Sequence, residues 1–170
     1  MNVRFVRDIT GRDICFECEC CEVGNHSILP SGGRIWENDD FVVYSHLSVP
    51  LLGFIIVAPK KHIHHFSELD YDKQTDLAII SMRVVDALKK FEISDDFTVL
   101  KFEGESEHAR VWIMPKLNGI FENDFDFALL ENRYSMERRS IPIASTYEIL
   151  YLNRRMKIAM TTNFVLVDPK

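Results

Sequence analysis

One helical stripe constrains this chain more than any other feature. Leu77, Ile80, Val84, Leu88 and Phe91 recur at intervals of 3, 4, 4 and 3 residues, the spacing that places side chains on one face of an α-helix. The pattern predicts a helix over 67–91. Ser67 is the expected N-cap, and acidic residues in the first turn offset the helix dipole. One helix cannot bury such a face alone, so the chain must supply a surface to receive it.

That surface is legible on both sides of the helix. Residues 34–37 (RIWE) and 41–45 (FVVYS) are rich in β-formers and flank Asn38-Asp39-Asp40, which reads as a hairpin turn. Residues 53–59 (GFIIVAP) form a continuous apolar run, as in a buried strand. After the helix, residues 97–102 (FTVLKF) and 109–114 (ARVWIM) read as two more strands. Strands grouped on either side of one helix predict an α+β domain built on an antiparallel sheet. Beyond Pro115 the pattern weakens to a helix over 147–160 and a short strand over 163–167.

With 170 residues the chain is long enough for one domain with a real core. Residues 1–116 carry the entire net charge of −6, whereas residues 117–170 balance to zero. The expectation is a main domain over 1–116 with a C-terminal extension, 117–170, packed on it. An acidic balance argues against broad nucleic-acid binding, which favours a basic face. No apolar run reaches membrane-spanning length, and the first residues lack the apolar centre of a signal peptide. The expected location is therefore the cytoplasm, away from membranes and with reduced thiols.

All four cysteines, Cys15, Cys18, Cys20 and Cys21, lie within seven residues. A disulfide framework would spread them out, whereas a cluster opening with C-x-x-C suggests metal binding or redox chemistry. A redox motif of the thioredoxin kind should follow a strand in a βαβ unit, and the flanking pattern shows none. Zinc takes cysteine sulfur and histidine nitrogen in a tetrahedron. Cys15 and Cys18 can grip one ion from a single turn, and His62 and His108 complete a Cys2His2 set. Cys20 and Cys21 are alternative ligands. Strand alternation puts His108, Arg110, Trp112 and Met114 on one face, with Ala109, Val111 and Ile113 on the other, toward a core.

The ordered set C-x-x-C, RIWENDDFVVY, GFIIVAPKKH, FEG and HARVWIMPK resembles the histidine triad (HIT) superfamily over roughly residues 15–116. The resemblance implies a HIT-like antiparallel sheet with one long helix, often paired as a homodimer. It also implies a purine-nucleotide pocket in the active branches, which hydrolyse or transfer nucleotidyl groups. The family motif is His-x-His-x-His, whose middle histidine attacks phosphorus. Those three positions fall here on His108, Arg110 and Trp112. A guanidinium has no lone pair to offer, so the usual nucleophile is gone. His46 falls near the family's ribose-holding acidic residue, and Ser106 is the one small hydroxyl left in the loop before the triad.

Zinc-bearing branches, including the galactose-1-phosphate uridylyltransferase relatives, use two cysteines and two histidines. The matching positions are Cys15, Cys18, His62 and His108. The implied reading is a structural Zn2+ site in a nucleotide- or partner-binding module without nucleotidyl-histidine catalysis. Arg110, Ser106 and His46 are its candidate phosphate- or ligand-binding residues. Arg110 can instead pair with Glu103, Glu105 or Glu107 and fill the old site. The alternative is a divergent hydrolase or nucleotidyltransferase acting on phosphoramidates or dinucleoside polyphosphates, with water positioned by His62, His64 or Ser106.

Overall fold

The computed structural model describes residues 3–104, 107–116 and 141–162. The strand expected at 163–167 and the candidate Ser106 lie outside them. A two-stranded hairpin opens the chain: β1 (Arg4–Arg7) pairs antiparallel with β2 (Asp13–Phe16). A short helix, α1 (Glu19–Gly24), follows. The main sheet contains β3 (Trp36–Glu37), β4 (Phe41–Ser45), β5 (Ile55–Pro59), β6 (Phe97–Phe102) and β7 (Arg110–Pro115). Its spatial order is β3-β4-β5-β7-β6, antiparallel throughout. The long helix α2 (Tyr71–Lys90) connects β5 to β6, and α3 (Thr146–Thr162) closes the described chain.

The hairpin turn forms where the sequence places it. Asn38 Oδ1 accepts the backbone N–H groups of Asp40 and Phe41 at 3.0 and 2.7 Å, fixing the corner between β3 and β4. The strand expected at 34–37 narrows to its last two residues.

The helix starts later than its first candidate cap. Residues Phe66–Glu68 make a 3-10 turn, Leu69 is extended, and Asp70 is the true N-cap, accepting Lys73 N–H at 2.9 Å. Glu68 explains the delay. Its carboxylate accepts the N–H groups of His64 and His65, both at 2.8 Å, and so holds Ser67 inside a separate turn.

Both faces of the sheet are covered. Val43, Ile55, Val57, Val111 and Ile113 pack against the predicted stripe of α2, and Leu152, Met156 and Met160 of α3 join the same core. On the other face, Val42, Tyr44, Ile56, Trp112 and Met114 pack with Phe16, Cys20 and Val23 from β2 and α1. β7 therefore splits as alternation requires, with Trp112 and Met114 on the face where α1 lies. Gly53 turns the chain into β5 with φ +81°, and a Cβ there would sit 2.9 Å from Ile93.

A buried polar network ties the N-terminal hairpin and α3 to this body. Asp8, whose side chain is wholly buried, accepts from Thr10, from Arg12 and from Ser31 Oγ. Asn153 Nδ2 donates to Ser31 O, and Ser45 Oγ donates to Asn153 Oδ1. Thr146 Oγ1 donates to Ile9 O at 2.7 Å. No described helix is long and apolar enough to cross a membrane.

Candidate metal centre

The start of α1 projects two sulfurs from one helical turn. Cys18 is the N-cap residue and Cys21 lies three positions on, so their side chains share a face. The helix can approach β5 closely because its last residue has no side chain: a Cβ on Gly24 would stand 3.3 Å from Lys60 Cγ.

The two imidazoles come from segments that pair beside the end of β5. Ala109 N–H donates to Ile63 O at 2.8 Å, and Gly104 N–H donates to His64 O at 3.0 Å. This brings His62, exposed, next to His108, which is 3% exposed, with ring centroids 4.7 Å apart. His108 Nε2–H donates to Pro59 O at 2.9 Å. That bond places the proton on Nε2 and leaves the Nδ1 lone pair aimed at the sulfurs, as in metal-ligating histidines whose other ring nitrogen donates to a carbonyl.

Cys18, Cys21, His62 and His108 present donor atoms that all lie within 4.8 Å of one another. The four sulfur-to-Nδ1 distances are 3.2, 3.3, 3.3 and 3.5 Å. Zinc bonds of about 2.3 Å to sulfur and about 2.0–2.1 Å to nitrogen, at tetrahedral angles, give a sulfur-to-nitrogen edge of about 3.6 Å. The donor set thus fits zinc after an expansion of a few tenths of an ångström. The protonation pattern fits as well. A hydrogen bond from Cys21 lowers the Cys18 thiol, against the opposing effect of burial and with further help from His108. Cys21 is raised as the partner holding the remaining proton. A metal ion bound here would displace the thiol protons and take both sulfurs as thiolates.

The structure therefore brings together three of the four residues the sequence nominated and leaves Cys15 apart. Cys15 is exposed in β2, across from Phe5, and belongs to the hairpin ladder. The chain contains two overlapping C-x-x-C motifs, 15–18 and 18–21. The second one straddles a helical turn and faces the histidines, so Cys21 stands where Cys15 was expected. Cys20 points the opposite way, into the core beneath Tyr44, and burial pushes its thiol up to about 12.

Beside these donors, a cleft of about 80 Å3 is lined by Arg4, Phe16, Glu17, Glu19, His62, His108 and Arg110 among others. Arg110 enters it from the first position of β7. Its guanidinium donates to Glu107 Oε2 and to His108 O, both at 3.0 Å, and lies over the rings of Trp112 and Phe102. Arg4 reaches the other oxygen of Glu107 at 3.3 Å, so one carboxylate bridges two guanidiniums. Glu19 accepts from Tyr44 Oη at 3.0 Å, and burial lifts its carboxyl to about 7.

His46 and Trp112 occupy the same aromatic layer below this cleft. His46 is 7% exposed and stacks on Phe54 at 4.6 Å, with Trp112 edge-on at 5.9 Å. Its Nδ1 accepts the N–H groups of Ser48 and Val49. Burial, with a smaller contribution from Arg110, lowers it to about 3, so the ring is neutral. Phe102 closes on Trp112 at 3.8 Å.

Neither a protein-family model nor a curated protein matches this chain. Solved structures do share its architecture. A Zn-bound histidine triad family protein from Mycobacterium smegmatis is 16% identical, spans 86% of this chain and 94% of its own, and superposes with a TM-score of 0.59. A HIT-like protein involved in cell-cycle regulation from Bartonella henselae is 20% identical over 81% of this chain and 92% of its own, with a TM-score of 0.57. A histidine triad nucleotide-binding protein from Sulfolobus tokodaii is 21% identical over 85% and 93%, with a TM-score of 0.56. The five-stranded antiparallel sheet with one long helix is the fold of histidine triad proteins.

Proposed function

We propose that this chain is a zinc-binding, HIT-like module that holds a nucleotide or a protein partner and does not run nucleotidyl-histidine catalysis. The observation that carries the reading is the convergence of Cys18, Cys21, His62 and His108 within one coordination sphere. When bound there, zinc would be structural, because four protein ligands leave no position for a reacting water. Cys18 and Cys21 bring the N-terminal segment, and the histidines bring the two ends of the central strands. The site thus ties β2 and α1 to the sheet. The resemblance to the Zn-bound mycobacterial structure supports the metal, and thiolate ligands suit a reducing, cytoplasmic setting.

The loss of catalysis follows from Arg110. It occupies the nucleophile position, its positive charge is further stabilised by the groups around it despite burial, and its Nη1 donates to Glu107 and to His108 O. The cleft beside it, about 80 Å3, is small against the roughly 300–1,000 Å3 of pockets that enclose drug-sized ligands. A phosphate-sized group fits this space better than a whole nucleotide. A purine nucleotide bound here would place its phosphate against Arg110 and the rest outside the cleft. His46, by contrast, would act on a ligand only through the aromatic layer it supports.

We read the fold as one HIT-like domain over 1–116 with residues 117–170 as an extension on the same body, since α3 shares the α2 core. A homodimer would form most readily at β6, the longer of the sheet's two edge strands. A groove of about 380 Å3 beside it, lined by Phe66, Leu77, Met82, Val99 and Val111, supplies apolar area. Calorimetry with AMP and GMP tests the module, and a fluorogenic adenylate phosphoramidate tests catalysis. Saturable binding weakened by Arg110→Gln, with no turnover, supports the reading. Turnover abolished by changing a single histidine would overturn it.

A further inference from the structure

We propose that the outer face of α3, where it meets the end of α2, docks an acidic segment of a partner protein that inserts one apolar side chain between its carboxylates. The surface shares no residue with the metal centre or with the β6 groove, and the proposal does not depend on either.

The stripe is set by helical geometry. Leu152, Met156 and Met160 fasten α3 to the core. Tyr147, Tyr151, Arg154, Arg155 and Ile158 fall on the opposite side, at intervals of three to four residues. Tyr147, Tyr151 and Ile158 are 75%, 53% and 60% exposed. Large side chains so uncovered, with arginines between them, have the composition of interface anchors.

At the C-terminal end the stripe becomes concave. A hollow of about 270 Å3 is lined by Phe91, Ile158, Ala159 and Thr162, with Lys90 and Arg155 at its rim. The Arg155 guanidinium is held over the Phe91 ring at 4.2 Å and near the Tyr151 ring at 5.7 Å, so it reaches the rim already ordered. Tyr147 and Tyr151 stack at 6.1 Å and extend the platform along the helix.

Charge selects the occupant. Lys90 and Arg155 line the hollow, Lys89 and Arg154 are their exposed chain neighbours, and among the described residues none of the four is in an ion pair. Glu148, the acidic residue of α3, is already engaged by Ser145 N–H and Oγ. An unpaired basic patch on a chain of net charge −6 attracts a carboxylate-bearing surface. The apolar floor of the hollow fits a side chain such as leucine or phenylalanine, which a nucleic-acid backbone does not offer. A bilayer would need a wider apolar face than three scattered side chains.

The test uses the full chain against an array of short peptides with a central Leu or Phe flanked by Glu/Asp, Lys or Ser. The best acidic peptide is then titrated by fluorescence anisotropy. Retention of acidic-flanked peptides alone is expected, weakened by added salt and by about tenfold or more in Ile158→Glu and in Lys90→Glu. Both positions are exposed, and circular dichroism checks the fold. Ile158→Ala gives a milder second reading with a smaller loss in the same direction. No preference for acidic flanks, or affinity unchanged in these variants, overturns the proposal. So does selective binding of anionic phospholipid vesicles or of a single-stranded oligonucleotide in place of the peptides.

Discussion

Changing Cys21 to serine should abolish zinc-dependent stability, whereas changing Cys15 should not. The two residues belong to overlapping C-x-x-C motifs, yet only Cys21 places its sulfur 3.2–3.3 Å from the Nδ1 atoms of His62 and His108. A ligand that binds only the folded state at about a hundred times its dissociation constant adds about 2.7 kcal/mol. For a chain of this size each kcal/mol moves the melting temperature by about 2–4 °C. Saturating zinc should therefore raise the wild-type melting temperature by about 5–11 °C over chelator-treated protein. Cys15→Ser should keep that increment, since the residue is exposed in the β2 ladder. Cys21→Ser should lose nearly all of it, because serine leaves three ligands and a weak hydroxyl. Differential scanning fluorimetry with added zinc or EDTA reads the difference. If Cys15→Ser lost the increment and Cys21→Ser kept it, the first motif would be the ligand pair and the geometry of α1 would be wrong.

Three further outcomes follow from the same structure. Asp8→Ala removes an acceptor with five donor groups around a fully buried carboxylate and should cost about 3 kcal/mol in urea unfolding. Burial alone would raise this carboxyl, but bonds from Thr10, Arg12 and Ser31 hold it well below its ordinary 3.8. Its contribution is thus present above that value and fades as pH falls through the lower, folded one. His46, lowered to about 3 by burial and Arg110, gives stability that is complete above the ordinary histidine value of about 6.5 and declines as pH falls toward 3. His46→Phe should flatten that slope in chelator-treated protein, as read from urea midpoints across the range. Met156→Ala, at a position with no exposure in the core shared by α2 and α3, should cost about 2–5 kcal/mol. A negligible loss would show that α3 is a dispensable appendage.

The sheet and the long helix were legible because their signals are periodic. The 3-4 stripe of α2 and the alternation of β7 survive intact, with Val111 and Ile113 on one face and Trp112 and Met114 on the other. The start of α2 was misplaced because Ser67 and Asp70 both look like caps. A side chain outside the helix, Glu68, decided between them. The β1–β2 hairpin leaves little trace in the sequence because each strand is only four residues long, mostly exposed, and without a polar/apolar alternation. The missing trace had a consequence for the site. Without β2, Cys15 looked free to turn toward a metal. With β2, the chain stays extended through Cys15 and curls only at Cys18, which makes 18–21 the gripping motif. His62 and His108 are 46 residues apart in sequence. Their meeting was suggested by the ligand preference of zinc and reinforced by the family resemblance, and it is realised by the bonds from Ala109 N–H to Ile63 O and from Gly104 N–H to His64 O.

Metal content is the most direct measurement. Protein purified without added metal or chelator, analysed by inductively coupled plasma mass spectrometry against quantitative amino-acid analysis, should carry one zinc ion per chain. Clearly less than that in folded protein, unchanged after zinc is supplied and excess removed, would contradict a built coordination site at Cys18, Cys21, His62 and His108.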